Sequence, residues 1–156
     1  MRYLLKVLHL LSLAIFFGSI VTYIFMGELV SGEGIASLKV SRELTASGTL
    51  YLTLPALFLT GLTGVLMSGK PNTRWLWSKV IGFILIAVNT KAFIYPAIEA
   101  SVLNFDKPEA YSTAMQQEVI FGGINLFLIL SLIAIAVIKP RFKRKSKPQT
   151  KPEYAV

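Results

Sequence analysis

Cysteine is absent from this 156-residue chain, and histidine occurs once, as His9. The lack of cysteine excludes disulfide bonds, thiolate metal sites and attachment of a cofactor through a Cys-x-x-Cys motif. Charged residues make up only 15% of the sequence. No Walker loop, dinucleotide-binding fingerprint, nucleophile elbow or zinc-protease helix is present. These absences exclude the common chemistries of soluble enzymes.

Long apolar runs dominate what remains: 54% of the residues are hydrophobic and the mean hydropathy is +0.62. A bilayer core about 30 Å thick is crossed by about 20 apolar helical residues. Four runs meet this length, at about residues 3–26, 49–67, 75–98 and 119–138. The sequence therefore predicts an all-α, integral membrane four-helix bundle over residues 1–140, followed by a disordered basic tail over residues 141–156. A cleavable signal peptide is the alternative for the first run, which is long for that purpose.

Basic residues are distributed unevenly around the predicted spans, and seven of the sixteen lysines and arginines follow Ile138. Arg2, Lys6, Lys70 and Arg74 fall on the same side as the tail, against Lys39, Arg42 and Lys107 on the other. The positive-inside rule then predicts cytoplasmic N- and C-termini in a bacterial-type inner membrane. A basic cluster beside a membrane span indicates topology and contact with anionic lipid, so we expect no nucleic-acid partner.

Polar side chains recur on one face of two predicted spans, at alternating spacings of three and four residues. His9 and Lys79 lie at a similar depth on these two faces, and intramembrane ionisable residues are usually functional. His9 is a candidate ligand or proton carrier, or a simple interhelical hydrogen-bonding group. Lys79 has an alternative role as a lysine that extends to the headgroups. The two faces comprise His9, Ser12, Phe16, Ser19, Tyr23 and Met26 in the first span, and Lys79, Gly82, Ile86, Asn89, Phe93 and Pro96 in the third.

Further polar candidates are Asn89 on the inward face of the third span, Lys91 on another face of the same span, and Asn125 in the fourth. We expect Lys91 to extend to the headgroups or to pair with Glu28 or Glu118 near the outer end. We expect Asn125 to bond a neighbouring helix, with the lining of a site as the alternative. In the second span we expect Pro55 to bend the helix. Small residues there predict close helix packing: Ala56, Thr60, Gly64 and Ser68.

Several short motifs resemble one family. Leu5-Lys6-Val7-Leu8-His9 with Phe16-Phe17-Gly18 looks like the first helix of the HemJ-type protoporphyrinogen oxidases and of the related CopD-like and DUF2269-like small membrane proteins. Trp75-Leu76-Trp77-Ser78-Lys79, Leu59-Thr60-Gly61 and Ile138-Lys139-Pro140 are similar to later parts of the same family. The chain departs from the HemJ pattern at Asn89-Thr90, where that family has a second histidine, and at Asn125-Leu126-Phe127, where it has Asn-Glu-Pro.

The resemblance implies a haem b site with His9 as the metal ligand and Lys79 as a second ligand or a partner for an anionic group of the tetrapyrrole. It further implies a membrane oxidoreductase, protoporphyrinogen oxidase-like, that passes electrons from a tetrapyrrole substrate to a quinone. No catalytic residue is assigned. The alternative is a non-catalytic membrane subunit, or a carrier of a small solute or metal, without haem. The lipid bilayer is the expected partner in both cases, and a homo-oligomer is compatible with either.

Overall fold

The computed structural model describes residues 2–30, 33–68 and 74–138, and almost all of these residues are helical. The predicted all-α fold is confirmed. The predicted tail over residues 141–156 and most of the predicted turn after the second span lie outside the described residues. Within these ranges six α-helices follow one another: α1 (Arg2–Val30), α2 (Ile35–Gly48), α3 (Leu54–Ser68), α4 (Arg74–Asn89), α5 (Tyr95–Leu103) and α6 (Pro108–Ile138).

Two π-helical turns, Thr49–Thr53 and Thr90–Ile94, join α2 to α3 and α4 to α5 without a break. The six helices therefore make four continuous rods, which we call spans 1 to 4: Tyr3–Val30, Ile35–Ser68, Leu76–Leu103 and Pro108–Ile138. All four are long and apolar enough to cross a membrane, and each extends beyond its predicted limit at one end or at both. Only 11% to 28% of the most apolar stretch of each span is buried inside the bundle. Lipid must cover the rest, so the chain is a membrane protein.

Neighbouring spans run antiparallel, as the contacts between their side chains show. His9 lies beside Thr63, and further along span 1 Ser19 lies beside Thr53. Spans 3 and 4 are also antiparallel. Phe93 of span 3 stacks on Phe121 of span 4, whereas Gly82, earlier in span 3, lies beside Leu132, later in span 4. Span 1 therefore begins where span 4 ends, and we call this side of the molecule the N-terminal end.

Spans 2 and 3 meet along α2 and α5 but separate towards the N-terminal end, where α3 and α4 approach each other little. One buried apolar side chain from each span fills the centre of the bundle: Phe16, Leu57, Ile86 and Ile129. The separation of α3 from α4 leaves open space between these four side chains and the N-terminal end.

Each π-helical turn is followed, two residues later, by a proline, Pro55 in span 2 and Pro96 in span 3. Proline has no N–H and cannot complete the preceding α-helical turn, and wider turns of this kind accommodate it. The turn also rotates the helix face that follows. The predicted inward face of span 3 is therefore correct at Gly82, Ile86 and Asn89 but wrong at Phe93 and Pro96, which are exposed. The buried residues beyond the turn are Ala97, Ile98 and Ser101.

The predicted small-residue ridge of span 2 packs against span 1 at three of its four positions. Ala56 and Thr60 are buried, and a Cβ atom on Gly64 would lie 3.3 Å from the Cε1 atom of His9. Ser68, the last position, is exposed. On the neighbouring face of α3, Gly61 leaves room for the ring of Phe83 from α4. Small residues thus set the distance from span 2 to both of its neighbours.

Candidate functional site

A cavity of about 510 Å³ occupies the space between α3 and α4 at the N-terminal end. Its volume lies within the range of about 300–1,000 Å³ that is typical of small-molecule sites. We call it the His9 cavity, and most of its lining is apolar. The four central side chains form its floor, and its walls include His9, Leu13, Thr60, Gly61, Gly64, Val65, Met67, Leu76, Trp77, Lys79, Val80, Phe83, Leu132, Ile133 and Ala136.

His9 is held in this wall by α3. Its Nδ1 atom lies 3.1 Å from the carbonyl oxygen of Thr60 and 3.0 Å from the hydroxyl oxygen of Thr63. A carbonyl oxygen only accepts, so Nδ1 carries the proton in this arrangement and donates it. The Thr63 hydroxyl donates in turn to the Leu59 carbonyl at 2.7 Å, which leaves its lone pairs free to accept. In the neutral ring the lone pair therefore belongs to Nε2.

Lys79 lines the same cavity from α4 and is half-buried. The structure thus brings together the two residues that the sequence placed at one depth on two inward faces. Within the parts of the chain that the structure describes, no group of three or more His, Cys, Asp or Glu residues converges on a common point. A metal held here as a bare ion would have too few protein ligands, whereas a cofactor that brings its own ligands needs only one or two from the protein.

Asn89 and Asn125 lie deeper in the bundle, away from the His9 cavity, and form a bridge between spans 3 and 4. The side-chain amide of Asn89 donates to the Phe121 carbonyl at 2.8 Å and to the Asn125 carbonyl oxygen at 3.4 Å. Asn125 donates to the Thr90 hydroxyl at 3.1 Å. All three side chains are buried. The expected interhelical role of Asn125 is thus confirmed, and Asn89 shares it.

Arg42 forms a buried polar cluster at the end of the bundle opposite the His9 cavity. Its guanidinium forms a salt bridge with Glu118 and donates to the Ser101 hydroxyl from Nε at 3.0 Å and from Nη2 at 2.7 Å. Arg42 is 5% exposed and Ser101 is fully buried. The cluster joins spans 2, 3 and 4. Of the alternatives expected for Lys91, pairing with Glu118 is wrong, because the Glu118 carboxylate forms its salt bridge with Arg42.

Lys91 lies on the outer surface of span 3, with its ammonium 4.8 Å from the centre of the Tyr95 ring. It takes no part in the His9 cavity or in the buried clusters. Of the five candidate residues from the sequence, two therefore line the cavity, two form the bridge between spans 3 and 4, and Lys91 faces outward.

Comparison of this chain with protein-family models, with curated proteins and with solved structures finds no match.

Sequence reasoning missed the partners of His9 and the buried role of Arg42. Hydroxyl residues recur along span 2 mostly at spacings of three or four, which places them on one helix face. The series comprises Ser41, Thr45, Thr49, Thr53, Thr60 and Thr63, all buried. This periodicity indicates an inward face that includes Arg42 at its edge. Because Arg42 was counted as a topology charge, the series went unused.

Proposed function

We propose that this chain is a haem-binding membrane redox protein, with the haem held in the His9 cavity and His9 as its axial ligand. The observation that carries the proposal is the pair of hydrogen bonds at Nδ1 of His9. Histidine ligands of metals almost always donate their other ring N–H to a carbonyl or similar acceptor, which fixes the tautomer and orients the ring. Thr60 and Thr63 provide such acceptors at 3.1 and 3.0 Å.

The other residues of the cavity fit a flat, mostly apolar group with acidic edges. Phe16, Phe83 and Trp77 provide aromatic surface, and the aliphatic side chains of α6 close the opposite wall. Lys79 supplies positive charge at the side of the cavity nearest the N-terminal end, where it would attract a carboxylate of the tetrapyrrole. The absence of a side chain at Gly61 and Gly64 lets Phe83 and His9, respectively, pack closely against α3 in the cavity lining.

Haem, when bound, supplies one-electron chemistry that the protein tunes through the axial ligand and its hydrogen bonds. The hydrogen bonds from Nδ1 would make His9 a more basic ligand, and the apolar floor would exclude water from it. The proposed reaction is the oxidation of a tetrapyrrole substrate with electrons passed to a quinone, as the resemblance to the HemJ-type oxidases suggests.

The proposed location is a bacterial-type inner membrane with cytoplasmic termini. Arg42 is one of the three basic residues assigned to the outer side, and its charge is buried against Glu118. Only Lys39 and Lys107 then remain exposed there. Arg2, Lys6, Lys70, Arg74 and the basic tail outnumber the basic residues on the opposite side, so the positive-inside rule favours cytoplasmic termini.

The first experiment is an absorbance spectrum of the detergent-purified protein, with haem added, in the oxidised and dithionite-reduced states. We expect a Soret band and sharpened bands on reduction in the wild type, and loss of both in a His9→Ala variant. A featureless spectrum in both proteins would overturn the proposal and favour a non-catalytic subunit or solute carrier.

Two further variants separate an effect on haem ligation by His9 from an effect on folding. Thr63→Val removes one acceptor of the Nδ1 proton, and we expect haem affinity to fall by about tenfold, the lower end of the effect of such partners. Thr53→Val is the matched control, because it removes a buried hydroxyl from the same face of span 2, bonded to Ser19 at 2.9 Å and remote from His9. Equal affinities in these two variants would contradict the proposed role of the hydrogen bonds.

A further inference from the structure

The His9 cavity has a lateral opening, a gap between α3 and α4 on the N-terminal side of the contact between Gly61 and Phe83. Val65 lies one turn from Gly61 on the same face of α3, and it is exposed although it lines the cavity. Trp77 of α4 is also both exposed and part of the lining. These two side chains therefore form opposite edges of the gap, and the cavity behind them opens onto the surface that lipid covers.

The opposite side of the cavity, between α1 and α6, is more closed. Among the described residues that these two helices contribute to the lining, Ile133 alone is exposed. The lining residues of α3 and α4 include four exposed ones: Val65, Met67, Ser68 and Trp77. An apolar molecule dissolved in the bilayer therefore reaches the cavity most directly between α3 and α4.

The polarity of the cavity changes with depth in the same way as the polarity of one leaflet. The floor is apolar and lies at the centre of the bundle, where α4 contributes Ile86. Lys79 lines the cavity from the same helix, about 10 Å nearer the N-terminal end at about 1.5 Å per residue. Half of the bilayer core is about 15 Å thick, so the long side chain of Lys79 reaches the depth of the headgroups. An anionic amphiphile has the same profile, with its acid group at the headgroups and its apolar body deeper.

We propose that the His9 cavity is filled sideways from the leaflet at the N-terminal end, by an anionic amphiphile that passes between α3 and α4 while its acid group stays at the depth of Lys79. Such a ligand dissolves in the bilayer first and enters the cavity without turning over or crossing water. Haem meets this description, but sideways entry follows from the gap and the lining alone and can be tested without haem. The alternative route is entry from water at the N-terminal end of the bundle.

The test follows a brominated fatty acid into the cavity, because bromine quenches tryptophan fluorescence only at close contact. The reporter protein is the full chain with Phe16→Trp at the cavity floor and with Trp75→Phe and Trp77→Phe, reconstituted in phosphatidylcholine vesicles. It is mixed with dibromostearate or with the methyl ester of dibromostearate. We expect the acid to quench at about fivefold lower concentration than the ester, the effect of one charge near a membrane surface. Lys79→Met should make the two probes equal.

Three variants of the reporter protein test the route of entry. Val65→Phe narrows the gap between α3 and α4, so we expect the rate of quenching by the acid to fall while the final extent of quenching is unchanged. Val7→Phe is the matched control, because Val7 is as exposed as Val65, at 62%, and lies on α1 outside the cavity lining. Ile133→Phe narrows the side between α1 and α6 and should leave the rate unchanged.

Equal rates in Val65→Phe and Val7→Phe would overturn the proposal, and so would a fall in rate that only Ile133→Phe produces. Equal quenching by the acid and the ester in the reporter protein would also overturn it, because the acid group would then have no partner in the cavity. Leu13→Trp, on the α1 wall, replaces Phe16→Trp as the reporter if the latter lowers the helical circular dichroism. A featureless haem spectrum would leave these results unchanged, so sideways entry and haem binding can fail separately.

Discussion

At the scale of single residues, the hydrogen bond between the buried amides of Asn89 and Asn125 allows the contribution of one polar contact to the stability of a membrane bundle to be measured. If the hydrogen bond between Asn89 and Asn125 is lost, each amide keeps one other partner. Asn89 still donates to the Phe121 carbonyl, and Asn125 still donates to the Thr90 hydroxyl. Hydrogen bonds between membrane helices contribute about 0.6 kcal/mol on average, because the unfolded chain also finds partners in the bilayer. The bond between the two amides is long, at 3.4 Å, and should contribute no more than this.

We therefore predict a small coupling energy, about 0.5 kcal/mol, in a double-mutant cycle of Asn89→Ala and Asn125→Ala. The measurement is unfolding in mixed detergent micelles, followed by circular dichroism. A coupling of about 2 kcal/mol or more would show that the two amides act as a tighter unit than their distance indicates.

The Arg42 cluster is the costliest polar feature to disrupt, because its charges are removed from solvent. The side chains of Arg42 and Glu118 are 6% and 20% exposed. We predict that Glu118→Leu destabilises the protein by about 3–5 kcal/mol, since it leaves the guanidinium buried without a counter-charge. The double variant Arg42→Met with Glu118→Leu should be more stable than Glu118→Leu alone. The free energy of unfolding in micelles distinguishes them, and a less stable double variant would contradict this account.

At the scale of helices, the distance between spans 2 and 3 depends on Gly61. A Cβ atom at this position would overlap the ring of Phe83, and both residues line the His9 cavity. Overpacked sites of this kind typically cost about 1–3 kcal/mol, because a side chain or the backbone must move.

We predict that Gly61→Ala destabilises the protein by about 1–3 kcal/mol and that adding Phe83→Leu recovers part of the loss. Gly18→Ala is the control, because a Cβ atom on Gly18 would meet nothing within 4 Å. Unfolding in micelles gives the comparison. Because alanine has a higher helix propensity than glycine, we expect Gly18→Ala to be neutral or slightly stabilising, and a Gly61→Ala protein as stable as Gly18→Ala would contradict the role of the ring contact.

A single helical period predicts the buried face of span 3 correctly before the π-helical turn at Thr90–Ile94 but not after it. A regular period places Phe93 and Pro96 on the same face as Ile86 and Asn89. The wider turn at Thr90–Ile94 shifts the face, so that Ala97 and Ser101 become the buried residues. Pro96 indicates an irregularity in the helix, but a proline alone does not show whether the helix bends or contains a π-helical turn.

At the scale of the whole molecule, the proposed orientation is testable because the chain has no native cysteine. Single cysteines at Ser37 and Asp106 lie at the end of the bundle opposite the N-terminus, and both positions are exposed. We predict that a membrane-impermeant maleimide labels both in intact cells, whereas a cysteine at Tyr3 reacts only after lysis. Labelling of Tyr3→Cys in intact cells, with Ser37→Cys protected, would reverse the proposed topology.

The class of the protein and the number of its spans could be predicted from the amino-acid sequence. Apolar length follows from local composition, and the bilayer imposes it on every helix in the same way. The period of the polar residues also placed His9 and Lys79 on inward faces at one depth, because a regular helix preserves its face over that distance.

The contacts between polar groups, by contrast, could not be predicted from the sequence, because they depend on the packing of the four spans. The two acceptors that orient His9 lie 51 and 54 residues away along the chain, and Arg42 reaches Ser101 and Glu118 across 59 and 76 residues. Such pairs depend on how antiparallel spans align, which small residues and π-helical turns set through packing rather than through local propensity. For the same reason the space between α3 and α4, and with it the His9 cavity, exists only in the assembled bundle.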